Sequence, residues 1–321
     1  MNPPKFSIAV PAFKQKFLKE CITSILGQTV PDFELIILND NSPENLEAII
    51  SQFTDPRIIY MKNEVGCGAY NVSNNWNECL KVASGEFFMC IGDDDRLLPD
   101  CLEKYLKLIQ AYPECNIYHA GTQIINESSE VYTLQESRPI RESAYSMIWH
   151  RWFSSRKTYI GDFLFKTVTL KNSGGFLWFP YAWGSDEQTV YSIASNGGIA
   201  NMQDYGFQYR VNRQTISYSR DNYKGKIEAH RLGKEWFIRF LKDEPSDSSD
   251  RLFWRMIKEG LDYHYSDLYR RILKDDFCYN QLRNLHYWRK KRRQYGLSGK
   301  DILFCFLLGV YKRLKESSLF L

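Results

Sequence analysis

Short apolar runs alternate with segments of helical periodicity over the first part of this chain. Apolar runs at residues 6–10, 33–38 and 58–61 have the length of buried strands, and turn-forming residues follow the first two. Between them, apolar positions within residues 17–26 and 46–50 recur at the spacing of one helix face. Because strands that alternate with helices build parallel sheets with right-handed crossovers, the pattern predicts an α/β fold.

The fourth apolar run carries the strongest chemical signal in the chain. Residues 86–91 read as a buried strand, and Asp93, Asp94 and Asp95 follow at its carboxyl end. Ligands bind at such strand ends in open α/β sheets. Crowded carboxylates repel one another unless a cation or full exposure compensates, and Mg²⁺ or Mn²⁺ with substrate phosphates suits them. From these three residues alone, an acidic surface turn is an equal alternative.

A second acidic strand end favours a binding site over a surface turn. Asp40 follows the apolar run at residues 33–38. In a parallel sheet it lies at the same edge as Asp93, because the carboxyl ends of the strands meet there. The two acidic strand ends therefore predict one shared crevice.

These segments together resemble a known family, the inverting family 2 glycosyltransferases with the nucleotide-binding GT-A fold. The resemblance depends on an ordered set of motifs between residues 5 and 215 and on no single one. The matching segments are residues 7–13, 18–29, 33–42, 83–88, 93–95 with Pro99 and Asp100, and 174–176. The resemblance implies a GT-A domain over residues 1–224, with a mostly parallel central sheet flanked by helices.

The resemblance also implies roles for individual residues on the donor side. Asp40 would hydrogen-bond uracil or an equivalent base, Asp93 would lie near the ribose, and Asp94 would bind the metal and diphosphate. Arg210 belongs to a segment, continuing to Arg213 and Arg220, that resembles the family's final loop over the donor phosphates. The loop that packs on base and ribose would consist of Pro11, Ala12 and Phe13.

Two positions depart from the family pattern. Asn39 stands where the family usually has the first of two acids, and Gly92 stands two positions before the expected metal ligand, often an acid. A metal site would then hold fewer protein ligands and depend more on the diphosphate oxygens. Asp95 is a further candidate ligand beside Asp94.

A later carboxylate is the catalytic base in this family, at the start of a helix that follows an aromatic loop. The best match is Asp186, which precedes a helix predicted at residues 188–195, and a flanking Trp183 could form a wall for the acceptor sugar. Inverting transfer needs a base on the face opposite the leaving group, as in inverting glycosidases. Asp186 is favoured over Glu187 because the helix N-terminus stabilises its carboxylate. The alternative is that Asp186 only caps the helix.

Composition agrees with a cytoplasmic enzyme. The 321 residues suffice for one large domain and an appendage, and a hydrophobic content of 44% excludes wholesale disorder. Eight cysteines without paired spacing or a signal peptide indicate reduced thiols. A net charge of +4 and the absence of an RNA- or DNA-binding motif argue against a nucleic-acid partner.

Residues 225–321 differ in character and predict a helical appendage. A basic run at residues 289–293 is followed by an apolar stretch at 302–311, which is shorter than the ~20 residues needed to cross a bilayer. Such a segment can lie in the membrane interface, so peripheral contact with the cytoplasmic membrane face is predicted. A buried core helix and a solvated basic face remain alternatives. The other helices are predicted at residues 228–240, 249–263 and 266–274.

The resulting hypothesis is an inverting, metal-dependent glycosyltransferase that serves surface polysaccharide assembly. It would move a sugar from a nucleotide-diphospho-sugar, expected to be a UDP-sugar, to a glycan or lipid-linked acceptor hydroxyl. A sugar-nucleotide-forming nucleotidyltransferase is one alternative, but it should carry a Gly-rich phosphate loop where residues 11–15 read Pro-Ala-Phe-Lys-Gln. A catalytically impaired nucleotide-sugar-binding or scaffold protein is another, which Asn39 and Gly92 keep open.

Overall fold

The computed structural model describes residues 3–154, 156–212 and 222–318. The chain divides into two compact units. The first consists of Met1–Trp178 and Ser185–Arg213, and the second of Phe179–Gly184 and Gln214–Leu321. The domain boundary near Lys224 stays a prediction from sequence.

The first unit is built on one large sheet. Its strands in the described residues are β1 (Phe6–Ala12), β2 (Phe33–Asn39), β3 (Ile58–Lys62), β4 (Phe87–Cys90), β5 (Arg96–Leu97), β6 (Ile117–Ile125), β7 (Val131–Leu134), β8 (Arg141–Glu142), β9 (Phe163–Lys166) and β10 (Ile199–Arg210). The strand order is β3-β2-β1-β4-β9-β6-β10-β5, with β7 paired to β6 and β8 to β10.

The pairing of the strands is mixed. The block β3-β2-β1-β4 is parallel throughout, and β6 pairs with β10 in parallel. Strand β9 lies antiparallel between β4 and β6, and the short strands β5, β7 and β8 also pair antiparallel. The predicted α/β class is confirmed, and the carboxyl ends of β1, β2 and β4 share one edge.

Helices cover this sheet through their apolar faces. In α1, Leu18, Cys21, Ile22 and Ile25 are buried, which confirms the predicted spacing. They join a core formed by β1, β2 and β4 and by the buried face of the helix at residues 101–111. The helices of this unit are α1 (Leu18–Leu26), α2 (Glu47–Ile50), α3 (Val72–Val82), α4 (Cys101–Ala111), α5 (Ala144–Phe153), α6 (Thr167–Asn172) and α7 (Ser185–Ala194).

The second unit is helical, as predicted. Its described helices are α8 (Tyr223–Phe240), α9 (Ser248–Asn280), α10 (Leu285–Lys291) and α11 (Gly299–Ser318). The two helices predicted at residues 249–263 and 266–274 are one continuous helix, so that break was wrong. No helix in the described part of the chain has both the length and the apolar character needed to cross a bilayer.

Helix α9 packs against two other helices, α8 and α11. Near its middle, Tyr265 contacts the ring of Phe237 on α8. Towards its end, Phe277 contacts Phe306 on α11 with ring centroids 5.5 Å apart. At Gly309, a Cβ atom would lie only 2.8 Å from backbone atoms of α9, so the two helices approach closely. Buried positions recur at intervals of three or four through residues 257–277, so the packed side of α9 continues across the predicted break.

Candidate active site

Asp40 organises the loop that follows β3. Its side chain is buried, and Oδ1 accepts hydrogen bonds from Asn63 Nδ2 (2.8 Å) and the Cys67 N–H (2.7 Å). Oδ2 accepts from the Gly68 N–H at 3.1 Å. Each carboxylate oxygen has two lone pairs, so a base N–H could add to this set. The contact between Asp40 and the base stays a prediction.

Asn39 has a structural reason to replace the usual acid. Its fully buried amide donates from Nδ2 to Glu47 Oε1 (3.3 Å) and to the Tyr60 hydroxyl (3.1 Å), while Oδ1 accepts from the Ser42 N–H. Hydrogen bonds from Lys62 and Tyr60 lower the pKa of Glu47 to about 2. A carboxylate at position 39 would be repelled by the negative charge of Glu47, whereas the amide of Asn39 donates a hydrogen bond to it.

Asp93 fastens the loop after β1 to the loop after β4. One oxygen, Oδ2, accepts from the backbone N–H groups of Phe13 and Lys14, both at 2.7 Å. Burial and the neighbouring charge of Asp94 raise the pKa of Asp93 to about 6, although these two N–H groups favour its ionised form. The ring of Phe13 is 44% exposed, as a stacking surface requires, whereas Ala12 is fully buried and Pro11 is partly buried.

Asp94 and Asp95 differ in their surroundings. Asp94 is partly exposed, and its Oδ2 accepts from Asn212 Nδ2. Asp95 is buried, and its Oδ1 accepts the Arg210 N–H at 2.9 Å. Burial raises the pKa of both carboxyls. A Cβ at Gly92 would lie 2.8 Å from Asp94 Oδ1 and 2.9 Å from Asp95 Oδ2, so a side chain at this position would require these two carboxylates to move.

Arg210 has a structural position inside the first unit. Its guanidinium is fully buried, lies over the ring of Phe17, and pairs with Glu20 at 2.9 Å. Its Nε donates to the Asp94 carbonyl at 2.8 Å, which fixes the acidic loop. The Arg210 guanidinium is therefore held by other residues of the protein. The remaining two arginines of the predicted loop, Arg213 and Arg220, lie outside the described residues.

Asp186 was predicted to precede a helix that begins at residue 188, but α7 begins at Ser185 and Asp186 lies in its first turn. Burial and the neighbouring charge of Glu187 raise the pKa of Asp186 to about 7, while Arg151 and nearby backbone N–H groups oppose this. Glu187 Oε1 accepts from Arg151 Nε at 2.8 Å and from Thr158 Oγ1 at 3.1 Å. Glu187 is thus held in an ion pair, and Asp186 is the carboxyl whose pKa lies near neutrality.

The aromatic segment before Asp186 belongs to the second unit. Tyr181 and Ala182 both have positive φ, at 57° and 55°, a strained conformation for residues with a Cβ. Trp183 lies near His230, and Lys226 Nζ is 4.6 Å from the centre of its indole. The role of Trp183 as an acceptor wall stays a prediction.

The donor set fits a divalent cation only in part. The described residues contain no group of three or more His, Cys, Asp or Glu side chains placed to hold a metal. Mg²⁺ is commonly held by one or two carboxylates together with substrate phosphates. The partly exposed Asp94 matches that chemistry, whereas the buried Asp95 already bonds to the protein backbone.

The structure brings the strand-end residues together and adds two that the motifs did not identify. Phe13, Asp40, Asp93 and Asp94 lie on loops at the shared edge. Asn212 contacts Asp94, and Lys14 is close enough for its charge to oppose the rise in the pKa of Asp93 and Asp94. Lys14 could have been identified from the sequence as a basic residue in the loop after β1. The contact between Asn212 and Asp94 could not, because it depends on the strand order.

Comparison with known protein families identifies the chain as a glycosyltransferase. The model of the family described as glycosyl transferase family 2 matches residues 7–180, more than half of the chain. The chain therefore belongs to glycosyl transferase family 2, and the resemblance seen in the sequence is confirmed.

Among curated proteins, the chain is similar to an uncharacterised glycosyltransferase of Methanocaldococcus jannaschii. The two are 26% identical over 274 residues, which cover 80% of this chain and 86% of that protein. A shorter match, 36% identical over 107 residues, covers 32% of this chain and 34% of the GalNAc(5)-diNAcBac-PP-undecaprenol beta-1,3-glucosyltransferase of Campylobacter jejuni.

Solved structures confirm the GT-A fold. The chain superposes on S. aureus TarS in complex with UDP-GlcNAc with a TM-score of 0.65 at 14% identity, over 96% of this chain and 92% of that one. It also superposes on a Pyrobaculum calidifontis mannosyltransferase in complex with GDP-Man and Mn²⁺, with a TM-score of 0.56 at 15% identity, over 98% and 88% of the two chains.

Proposed function

We propose that this chain is an inverting glycosyltransferase that uses a UDP-sugar donor and a glycan or lipid-linked acceptor hydroxyl. The observation that carries the proposal is the arrangement of carboxylates in one compact unit. Asp40, Asp93 and Asp94 follow strand ends at one edge of the sheet, and Asp186 lies in the first turn of α7, where burial and Glu187 raise its pKa to about 7. Such a carboxyl can accept a proton at neutral pH, and a positioned base contributes about 10²–10⁴-fold to a rate.

The donor would bind along the edge formed by the loops after β1, β2 and β4. The exposed ring of Phe13 offers a stacking surface, and Asp40 offers carboxylate oxygens to a base N–H. Asp93 holds the Phe13 and Lys14 backbone in place, and Lys14 carries a positive charge suited to phosphate. The structure of TarS with UDP-GlcNAc supports a uridine nucleotide.

Asp94 would hold a divalent cation, Mg²⁺ or Mn²⁺, together with the diphosphate. When bound, the cation would act as a Lewis acid on the leaving diphosphate oxygens. Asn212 orients the Asp94 carboxylate, and Arg210 fixes its backbone carbonyl. The Pyrobaculum mannosyltransferase complex with Mn²⁺ supports this assignment.

Asp186 would remove the proton from the acceptor hydroxyl on the face opposite the leaving group. Burial and Glu187 keep its pKa high enough for proton transfer, and Arg151 limits the rise. Attack from that face inverts the anomeric carbon in one displacement.

The names of two related enzymes indicate the pathway in which this enzyme would act. The Campylobacter relative is named for a substrate linked to undecaprenol diphosphate, and so is an Escherichia coli relative, 29% identical over 126 residues. We therefore place this enzyme in surface polysaccharide assembly on the cytoplasmic side of the membrane, with a lipid-linked saccharide as acceptor.

The test is a thermal-shift screen of nucleoside diphosphates with and without Mn²⁺, followed by UDP release from a panel of UDP-sugars. We expect UDP with Mn²⁺ to raise the melting temperature most, and one UDP-sugar to release UDP. Binding without release would support the scaffold alternative. Pyrophosphate release from a nucleoside triphosphate and a sugar phosphate would support the nucleotidyltransferase.

A further inference from the structure

Helix α11 of the second unit has two apolar faces. One face is packed: Ile302 and Cys305 are buried, and Gly309 lies against α9. On the other face, large apolar side chains are each more than half exposed. These are Leu303, Phe304, Leu307, Tyr311 and Leu314.

The exposed apolar residues form one stripe. Phe304, Leu307, Tyr311 and Leu314 follow one another at alternating spacings of three and four, so they lie on one side of the helix. Between Leu303 and Leu314 the stripe extends about 17 Å along the helix axis. That length is too short to cross a bilayer, but it can lie along a membrane surface.

Positive charge is concentrated in the segment of the chain that contains this stripe. Residues 285–321 contain nine Lys or Arg and two acidic residues, a net charge of +7, whereas the whole chain carries +4 and residues 1–284 therefore −3. Exposed Lys300 precedes Phe304 by one turn on the same side of the helix, and Lys315 follows Leu314. Long basic side chains at the ends of an apolar stripe can reach anionic headgroups.

A basic cluster precedes the helix in the same unit. An open depression of about 540 Å³ is lined by His286, Arg289, Lys290, Arg292 and Arg293. In the part of the chain that the structure describes, the side chains of Arg289, Lys290 and Arg293 form no ion pair. A basic cluster that is close in sequence to an amphipathic apolar helix is a usual signature of attraction to anionic lipid.

We propose that the exposed stripe of α11, with the basic residues of α10 and of α11, docks the protein on an anionic lipid bilayer surface. Apolar side chains would enter the boundary of the acyl chains, and the Lys and Arg side chains would contact lipid phosphates. A second copy of the chain fits less well, because a symmetric contact would bring together two copies of a segment whose net charge is +7. The proposal goes beyond the proposed transferase activity and does not depend on it.

The experiment is flotation of the full chain with vesicles. One set contains phosphatidylcholine with about one third phosphatidylglycerol, and the other contains phosphatidylcholine alone. We expect binding to the anionic vesicles only, and weaker binding at high salt because the charges are screened. Failure of the wild-type chain to float with anionic vesicles overturns the proposal.

Matched variants separate the stripe from general apolar exposure. Leu307→Glu should weaken vesicle binding at least about tenfold, since an apolar contact is lost and a like charge to the lipid is introduced. Leu252→Glu on α9 changes a residue of nearly equal exposure, 59% against 58%, and should bind as the wild type does. Equal losses in both variants would overturn the assignment to α11.

A second pair tests the basic cluster. Arg289→Ala with Lys290→Ala should weaken binding about thirtyfold, because each basic residue near an anionic surface contributes about fivefold. Arg255→Ala with Lys258→Ala on α9 removes the same charge and should have little effect. The melting temperature, measured by circular dichroism, serves as the folding control and should be unchanged in all four variants. A dimer of the wild type that Leu307→Glu dissociates, without any vesicle binding, would assign the stripe to contact between copies and overturn the proposal.

Discussion

The carboxylates on the donor side and the carboxylate of Asp186 are held in different ways. Asp40 and Asp93 each accept two or more hydrogen bonds from loop groups, and Asp94 accepts one from Asn212. Asp186 lies at a helix N-terminus beside Glu187, and its pKa is raised to about 7. The first group fixes loops in position through these hydrogen bonds, although burial and Asp94 also raise the pKa of Asp93 to about 6. The second site holds a carboxyl near its midpoint of ionisation at neutral pH.

The difference shows how one kind of side chain serves two tasks. Hydrogen bonds to an ionised carboxylate order the chain around it, which suits a site that must bind a nucleotide. Burial beside a like charge destabilises the ionised form, which suits a group that must take up a proton. Within α7, the two acids differ because Arg151 pairs with Glu187 and not with Asp186.

The largest expected effect is that of Asp186→Asn. Turnover should fall by about two to four orders of magnitude, because the proton acceptor is lost while the size of the side chain is kept. UDP affinity should change little, since the interaction belongs to the transition state. UDP release and calorimetric UDP binding would be measured side by side.

Glu187→Gln is the matched control for that change. Gln keeps an oxygen to accept from Arg151 and Thr158, so most turnover should remain. If turnover instead survives in Asp186→Asn and is lost in Glu187→Gln, the base is Glu187. Asp186→Asn should melt no lower than the wild type at pH 8, because it removes a carboxylate whose ionisation the fold disfavours.

Next in size is the response of Asp94→Asn to metal. Mn²⁺ should no longer strengthen UDP binding, a loss of at least about tenfold, since the amide cannot replace an anionic ligand. Asp100→Asn removes the same charge nearby, from a surface pair with Lys104, and should keep the metal effect. Unchanged Mn²⁺ enhancement in Asp94→Asn, measured calorimetrically, would transfer the ligand role to Asp93 or Asp95.

The pH dependence of turnover sharpens the role of Asp186. The base acts when deprotonated, so turnover should rise with pH through about 7. Glu187→Gln should move this rise to lower pH because a charge that raises the pKa is removed, and Arg151→Gln should move it to higher pH. A profile already flat at pH 5, or shifts of the same sign in both variants, would contradict the assignment.

The smallest expected effect is on stability, at the departure from the family pattern. Asn39→Asp should lower the free energy of unfolding by about 1–3 kcal/mol, because a buried hydrogen bond to Glu47 becomes a contact between two acids. Adding Glu47→Gln should restore part of the loss, as measured by urea unfolding of all four members of the cycle. Additive losses would mean that the two side chains are not coupled.

Local patterns predicted the elements that carry the strand-end residues, because β1, β2 and β4 and helix α1 bury simple periodic faces. The contact of Asn212 with Asp94 was not predictable in this way, since it depends on the order of strands that are far apart in the chain. The break predicted within α9 was wrong because the buried positions continue across it, and two of them, Tyr265 and Tyr269, are only partly apolar side chains. For α11, the buried-core alternative describes the side that packs on α9, whereas membrane contact of the exposed side stays a prediction.

The hydrogen bonds from Phe13 and Lys14 to Asp93 also bear on the order of folding. They connect residues 80 and 79 positions apart, so they can close only after β1 and β4 have paired. Contacts of such long sequence separation are slow to form, because a long loop must be ordered first. A nucleotide that recognises this edge would bind only chains in which the sheet is assembled, and its binding during refolding would report the arrival of the native state.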